Sequence, residues 1–358
     1  MMRALFAMFD GGGNVPPQLA VAAALRRRGG DVAVIGHRGL GERVEAAGFP
    51  FEPFTAGGHF DPTVRRPLAA MMADFVRVAA DRQIGGCVID AARRHGADVV
   101  VVDTVLVAAT ADVIESGLRT VIFVHCFYRA MQDLAAGPAG WALRMRGVDP
   151  LAAQHHDVLQ IVSARADLDP VRGAPSLCHT GVVWQGQPRE STPSVRPHVL
   201  ISLSTNAFAG QERMLQRILD AVAPLPLDAT VTVGPSIDAR GIRVPANADL
   251  HSWLDHDEVL STASLVIGHG GHSTAMRALS FSVPQIVLPA NPFIDQKTVG
   301  AALRDAGAGL LLGKHAGVKR IRSAVETVLG DGSYRRAAER LGDDIRRRDG
   351  AEVAASLL

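Results

Sequence analysis

The chain repeats one local pattern: a short apolar run of strand length, a turn, then a helix with one apolar face. Residues 4 to 9, ALFAMF, are the first such run. PPQLAVAAALRRRGG (16 to 30) follows, with prolines suited to a first helical turn and glycines where a C-cap belongs. DVAVIG (31 to 36), VEAAG (44 to 48), DVVVVD (98 to 103), VAATADVIESG (107 to 117) and TVIFVH (120 to 125) continue the alternation. Strands this uniformly apolar are buried on both faces, which predicts an α/β fold with a parallel sheet covered by helices.

Between these units, residues 65 to 96 read as a long helical segment broken near the glycine pair at 85 and 86. Residues 127 to 157 read as an irregular stretch with Met, Trp and paired His, able to wall a pocket. QGQPRESTPSVRP (185 to 197) has no periodicity and is expected to be a linker. The pattern then restarts with HVLISLS (198 to 204), QERMLQRILDAVA (211 to 223), ATVTVG (229 to 234), SLVIG (264 to 268), a helix from Ser273 and QIVLP (285 to 289). The expected domains are 1–184, a linker at 185–197, 198–340, and a helical segment 341–358 packing back on the first domain. Two Rossmann-like halves facing each other place a ligand in the deep cleft between them, at the carboxyl ends of the strands.

Composition narrows the partners. Lys+Arg 37 against Asp+Glu 36 gives a net charge of +1, so no global field recruits nucleic acid or an anionic membrane. Cys87, Cys126 and Cys178 are odd in number and form no CxxC or CxxH pair, which argues against a disulfide framework or a structural zinc. No apolar run reaches the roughly 18 residues of a membrane span, and MMRALFAMFDGGG lacks the features of a secretory leader, so a cytoplasmic protein is expected.

The first turn, GGGNVPP (11 to 17), sits where a dinucleotide fingerprint would, but G-x-G-x-x-G started at Gly11 meets Pro16. Started at Gly12, it meets Asn14 and Pro17. No Gly-Lys-Ser/Thr follows either. The second turn, HGGHST (269 to 274), carries a stronger signal, because it follows a buried strand and opens a helix. Backbone amides there, with glycines permitting close approach, suit a phosphate or pyrophosphate. Ser273 and Thr274 add hydroxyl donors, and His269 a ring donor or a charge. Asp295-Gln296 ends a strand-loop segment with groups suited to sugar hydroxyls. Trp253, taken alone, is expected in the core.

Together HGGHST, Asp295-Gln296 and Trp253 resemble the H-G-G-x-x-T/S, D/E-Q and W-x-P-Q motifs of the metal-independent, inverting GT-B glycosyltransferases, specifically the family-1 type acting on antibiotics such as macrolides and enediynes. The resemblance implies a nucleoside diphosphate sugar (dTDP or UDP) as co-substrate, no cofactor and no metal; a homodimer is compatible with it, and the irregular stretches 59 to 80 and 127 to 157, rich in Met, Phe and Leu, predict an apolar aglycone as acceptor. It implies an acceptor-binding first domain and a donor-binding second domain. Trp253 would stack on the base, with His256 near the nucleoside. His269, the amide of Gly271, Ser273 and Thr274 would hold the diphosphate, with Ser204 and Thr205 closing over it. Asp295 and Gln296 would bind the sugar.

On the acceptor side the family's G-H-V-x-P becomes G-N-V-P from Gly13, and its usual base, a His, is replaced by Asn14, while the partner Asp is present as Asp103. A carboxamide orients a hydroxyl but cannot take its proton. Three readings follow: Asp103, His59 or His125 takes the proton; the acceptor is acidic enough to need none; or the protein binds donor without transfer. Gly13, His59 and His125 are the acceptor-side candidates, and Asp10 is a further outsider. Arg277 stands where many relatives have a ribose-binding Glu and would instead meet a phosphate. The rivals to transfer are a non-catalytic nucleotide-sugar binder and a sugar-nucleotide epimerase of the same fold.

Overall fold

The computed structural model of the chain describes residues 1–58, 61–291 and 295–358. The chain forms two compact units. The first comprises Met1–Asp61, Pro67–Val183 and Asp349–Leu358, the second Pro62–Arg66 and Trp184–Arg348.

In the first unit, β1 (Arg3–Met8), α1 (Val15–Arg27), β2 (Asp31–Gly36), α2 (Gly41–Ala46) and β3 (Phe51–Pro53) lead into two helices, α3 (Leu68–Ala79) and α4 (Arg82–His95). Then come β4 (Val99–Asp103), α5 (Val107–Glu115), β5 (Thr120–Val124), α6 (Tyr128–Ala136), α7 (Pro138–Arg144), β6 (Leu159–Val162) and β7 (Cys178–His179). The strands form one parallel sheet in the order β3-β2-β1-β4-β5-β6-β7. Every residue of β4 and β5 is buried, as strands covered on both faces must be. The order reverses between β1 and β4, so the loops leaving these two neighbours diverge and their carboxyl ends open a crevice.

Two local expectations are revised. The helical segment 65 to 96 breaks at Ala80-Asp81 and not at the glycine pair, because Asp81 caps α4 by accepting the Gln83 amide at 3.0 Å. Gly85 lies inside α4 against α5, where a Cβ would sit 2.4 Å from Asp112 Oδ2, so the glycine serves helix packing. The stretch expected to be irregular, 127 to 157, holds α6 and α7.

The second unit contains β8 (His198–Ser202), α8 (Gln211–Val222), β9 (Asp228–Thr232), β10 (Ala248–His251), α9 (His256–Leu260), β11 (Leu265–Gly268), α10 (His272–Ser280), β12 (Gln285–Val287), α11 (Gln296–Asp305), β13 (Gly309–Leu311), α12 (Val318–Gly330) and α13 (Gly332–Arg346). Its parallel sheet runs β10-β9-β8-β11-β12-β13, with the reversal between β8 and β11. Residues 185–197 carry no helix or strand. The last helix, α14 (Gly350–Leu357), belongs to the first unit, where Arg27 pairs with Glu352 at 2.6 Å and Gly350 donates to the Val182 carbonyl at 2.9 Å.

Candidate active site

In each unit polar residues singled out in the sequence end or follow the strands between which the order reverses, Asn14 and Asp103 in the first and Ser204 and His269 in the second. In the first unit Asn14 opens α1 and is buried, but its carboxamide does not cap the helix. Asn14 Oδ1 accepts the Gly11 amide at 2.9 Å, and Nδ2 donates to the Phe9 carbonyl and to Asp103 Oδ2, each at 2.7 Å. Gln18, one helical turn later and fully buried, donates from Nε2 to the same Asp103 oxygen at 2.7 Å. Asp103 Oδ1 accepts the Val105 amide at 2.9 Å. Parallel pairing sets Asp103 beside Phe123, so His125, just past the end of β5, comes close to it: Nδ1 lies 3.4 Å from Asp103 Oδ2.

Asp103 is wholly buried, while the His125 side chain retains 18% exposure. Gly13 is exposed at the tip of the turn. Asp10 pairs with Arg43 at 2.5 Å, and His59 lies outside the described residues. Gln18 belongs to none of the motifs that the sequence displays. Its signal is a carboxamide four residues after Asn14 on a helix face otherwise made of Val15, Val21, Ala22 and Leu25.

In the second unit β11 runs directly into His269-Gly270-Gly271 and α10. The first helical bond runs from the Ala275 amide to the Gly271 carbonyl at 2.9 Å, and as at any helix start the earlier amides have no carbonyl one turn back. Gly270 has φ 82°, and a Cβ there would lie 2.5 Å from Val287 Cγ1 and 2.8 Å from the Gln296 carbonyl. Gly271 makes room for the His269 ring. That ring is buried, and among the described residues its Nδ1 has no hydrogen-bond partner. Burial pushes His269 down to about 4, against a smaller opposing contact with the Ser202 backbone. The imidazole is therefore neutral at pH 7 and offers a ring N–H instead of a charge.

Ser273 Oγ accepts from Gln185 Nε2, which brings the first residues of the stretch expected to be a linker onto this turn. Thr274 is half-buried beside it. The loop after β8 is braced: Gln211 Nε2 donates to the carbonyls of Ser204 at 3.2 Å and Asn206 at 2.9 Å, and Ser236 Oγ donates to the Thr205 carbonyl at 2.9 Å. Ser204 is buried and its Oγ accepts the Asn206 amide at 3.0 Å; Thr205 is exposed.

Trp253 is not a core residue. It is 77% exposed, on the loop between β10 and α9. His256 begins α9 within 3.2 Å of Thr232 Oγ1 and is held at about 4, first by burial and then by the Arg277 charge. Arg277 itself is engaged by two carboxylates, Asp257 at 2.6 Å and Asp255 at 2.7 Å, so it is not held open for a phosphate. Asp295 is buried and makes no side-chain cap to α11. Gln296 Oε1 accepts the amides of Ala290 at 2.7 Å and Asn291 at 2.8 Å, while its Nε2 is buried with no partner among the described residues. Among the described residues no three His, Cys, Asp or Glu side chains converge as a metal site would need. No helix among them is long and apolar enough to cross a membrane.

Residues 216–358 match the family described as erythromycin biosynthesis protein CIII-like, C-terminal domain. A PGL/p-HBAD biosynthesis glycosyltransferase of Mycobacterium tuberculosis (strain ATCC 25177 / H37Ra) is 29% identical over 63% of this chain and 55% of its own length. The chain thus spans about half the length of this curated relative. Among solved structures, CalG4, the calicheamicin glycosyltransferase, aligns over 100% of this chain and 97% of its own at a TM-score of 0.78 and 22% identity. The spinosyn rhamnosyltransferase SpnG complexed with thymidine diphosphate aligns over 100% of both chains at 0.72 and 21%. The chain therefore has the GT-B fold, and its residues from 216 onward are similar to the EryCIII-like C-terminal domain.

Proposed function

We propose that the chain transfers a hexosyl or deoxyhexosyl group from a dTDP- or UDP-sugar to an apolar natural-product acceptor, inverting the anomeric carbon and needing no divalent cation. The observation that carries this reading is the His269-Gly270-Gly271 turn. A helix start, and a His269 ring nitrogen and Gln296 Nε2 that are buried without a partner among the described residues, offer donors with no acceptor to match. A diphosphate supplies the missing acceptors, and the helix dipole opposes the charge that grows as the leaving group departs. Thymidine diphosphate in the SpnG complex is consistent with this class of donor. Trp253, exposed on its loop, supplies an apolar face for a base.

The same geometry motivates one rival. Asn14 cannot accept a proton and its carboxamide is fully engaged, as expected of a protein that binds a nucleotide sugar without transferring it. Calorimetry with dTDP and UDP, followed by transfer assays on an aglycone panel with and without EDTA, separates the two. Binding with EDTA-insensitive transfer supports the transferase. Binding without transfer to any aglycone supports the rival, and absence of binding overturns both.

A further inference from the structure

We infer that His125 is the proton-accepting side chain of this transfer, with Asp103 orienting it and Asn14 and Gln18 fixing the Asp103 carboxylate; the inference rests on the transferase reading above. In the step, the acceptor oxygen forms a bond to the anomeric carbon as the bond from that carbon to the diphosphate oxygen breaks. The bonding pair leaves with the diphosphate. The acceptor's proton passes to the imidazole, leaving an imidazolium beside the Asp103 carboxylate.

The assignment follows from what each neighbouring group is already doing. Asn14 has no basic atom, and its oxygen and its amino group are both engaged. Asp103 is fully buried, with donors from Val105, Asn14 and Gln18 on its two oxygens at 2.7 to 2.9 Å, so an acceptor hydroxyl has no path to it. Asp10 is tied to Arg43. His125 alone among these groups combines a basic atom with partial exposure, 18% for the side chain. Its Nδ1 lies 3.4 Å from Asp103 Oδ2, within ion-pair distance but not aligned as a hydrogen bond to that oxygen; catalytic contacts of this kind commonly align once substrate is bound. Once the ring turns its Nδ1–H onto that carboxylate, Nε2 is left as its basic atom.

The two carboxamides explain how a carboxylate serves this role without a histidine on α1. Asn14 and Gln18, one turn apart, clamp the same oxygen from one side while His125 approaches from the neighbouring strand end. Asp103 cannot rotate away, and its charge is held where an imidazolium forms. Gln18 is thus a positioning residue, acting through Asp103.

The test compares wild type, His125→Ala, His125→Gln and Gln18→Met. For both His125 variants kcat/KM should fall about 100- to 10,000-fold, the usual worth of a general base, with dTDP or UDP affinity by calorimetry unchanged. Added imidazole should restore part of the activity of His125→Ala. The wild-type kcat/KM profile should show an acid limb that the variants lack. Gln18→Met leaves more of the Asp103 charge facing the ring, so that limb should move to higher pH while kcat drops about 10- to 100-fold. Transfer by both His125 variants within about threefold of wild type overturns the inference and leaves the transferase reading intact, as does a wild-type profile flat toward acid. Failure of the wild type itself to bind nucleotide overturns the transferase reading instead.

Discussion

Replacing Gly271 with alanine adds one methyl group at the start of α10, and its destination is fixed by the backbone. The residue has φ −61°, ordinary for any amino acid, so no backbone strain follows. The new Cβ would lie 2.5 Å from His269 Nε2 and 3.1 Å from its Cε1. Unbonded heavy atoms settle at about 3.5 to 4 Å, so the ring must retreat by about 1 Å. That is enough to take a donor out of the 2.7–3.2 Å range of a hydrogen bond. A bond to a charged acceptor contributes about 1.5 to 3 kcal/mol, so dTDP or UDP affinity should fall roughly 10- to 150-fold with the folded state little changed. Gly270→Ala is the contrast. Its φ of 82° costs a side chain about 1 to 2 kcal/mol, and the clash with Val287 adds about 1 to 3 more, so stability itself should drop by about 2 to 5 kcal/mol. Calorimetry and urea unfolding read the two effects separately. A Gly271→Ala protein that binds nucleotide as tightly as wild type would refute the placement of His269 at the diphosphate.

Three further outcomes follow. Stability should decline with acid because His269 titrates at about 4 folded against 6.5 in the unfolded chain. The unfolded state binds the proton first, so this contribution is complete above pH 6.5 and is lost as pH falls toward about 4. It amounts to about 3 kcal/mol, and His256, also held at about 4, adds in the same direction. Urea midpoints between pH 7 and about pH 4.5 should therefore converge less steeply for His269→Asn than for wild type; equal slopes would contradict the assignment. Trp253→Ala should leave the unfolding midpoint unchanged because the ring is exposed, yet weaken nucleotide binding by about 1 to 3 kcal/mol if the base stacks there. Asn14→Ala removes bonds to Gly11, Phe9 and Asp103 and should destabilise the first unit by about 3 to 5 kcal/mol in denaturant titration; a loss below about 1 would show that the turn does not depend on them.

Much of this was legible in the sequence because strand and helix periodicity is local. The run at residues 4 to 9 is β1 (Arg3–Met8), and residues 211 to 223 hold α8 (Gln211–Val222). The two turns that open α1 and α10 were equally plain, since a glycine cluster between a buried strand and an amphipathic helix has few other uses. Partnerships across the fold were not. Nothing near Gln18 announces a bond to a carboxylate 85 residues away, and Gln185, in a stretch without periodicity, reaches Ser273 only through tertiary packing. The approach of His125 to Asp103 was within reach, because adjacent parallel strands ending together bring their carboxyl ends side by side. Trp253 departs from the expectation of a core residue because large aromatics are usually buried, whereas the loop before α9 leaves this one exposed. The break in the 65 to 96 segment was misplaced because glycine both ends helices and lets them pack closely, and only the neighbour at Asp112 tells which.

The central claim is that a diphosphate sits on the amino end of α10 with no cation beside it. A crystal structure with thymidine diphosphate bound in metal-free buffer tests it directly. Diphosphate oxygens are expected within about 3 Å of the amides at the start of α10 and of the His269 ring. A diphosphate located away from that turn, or held only when a divalent cation is added, would contradict it.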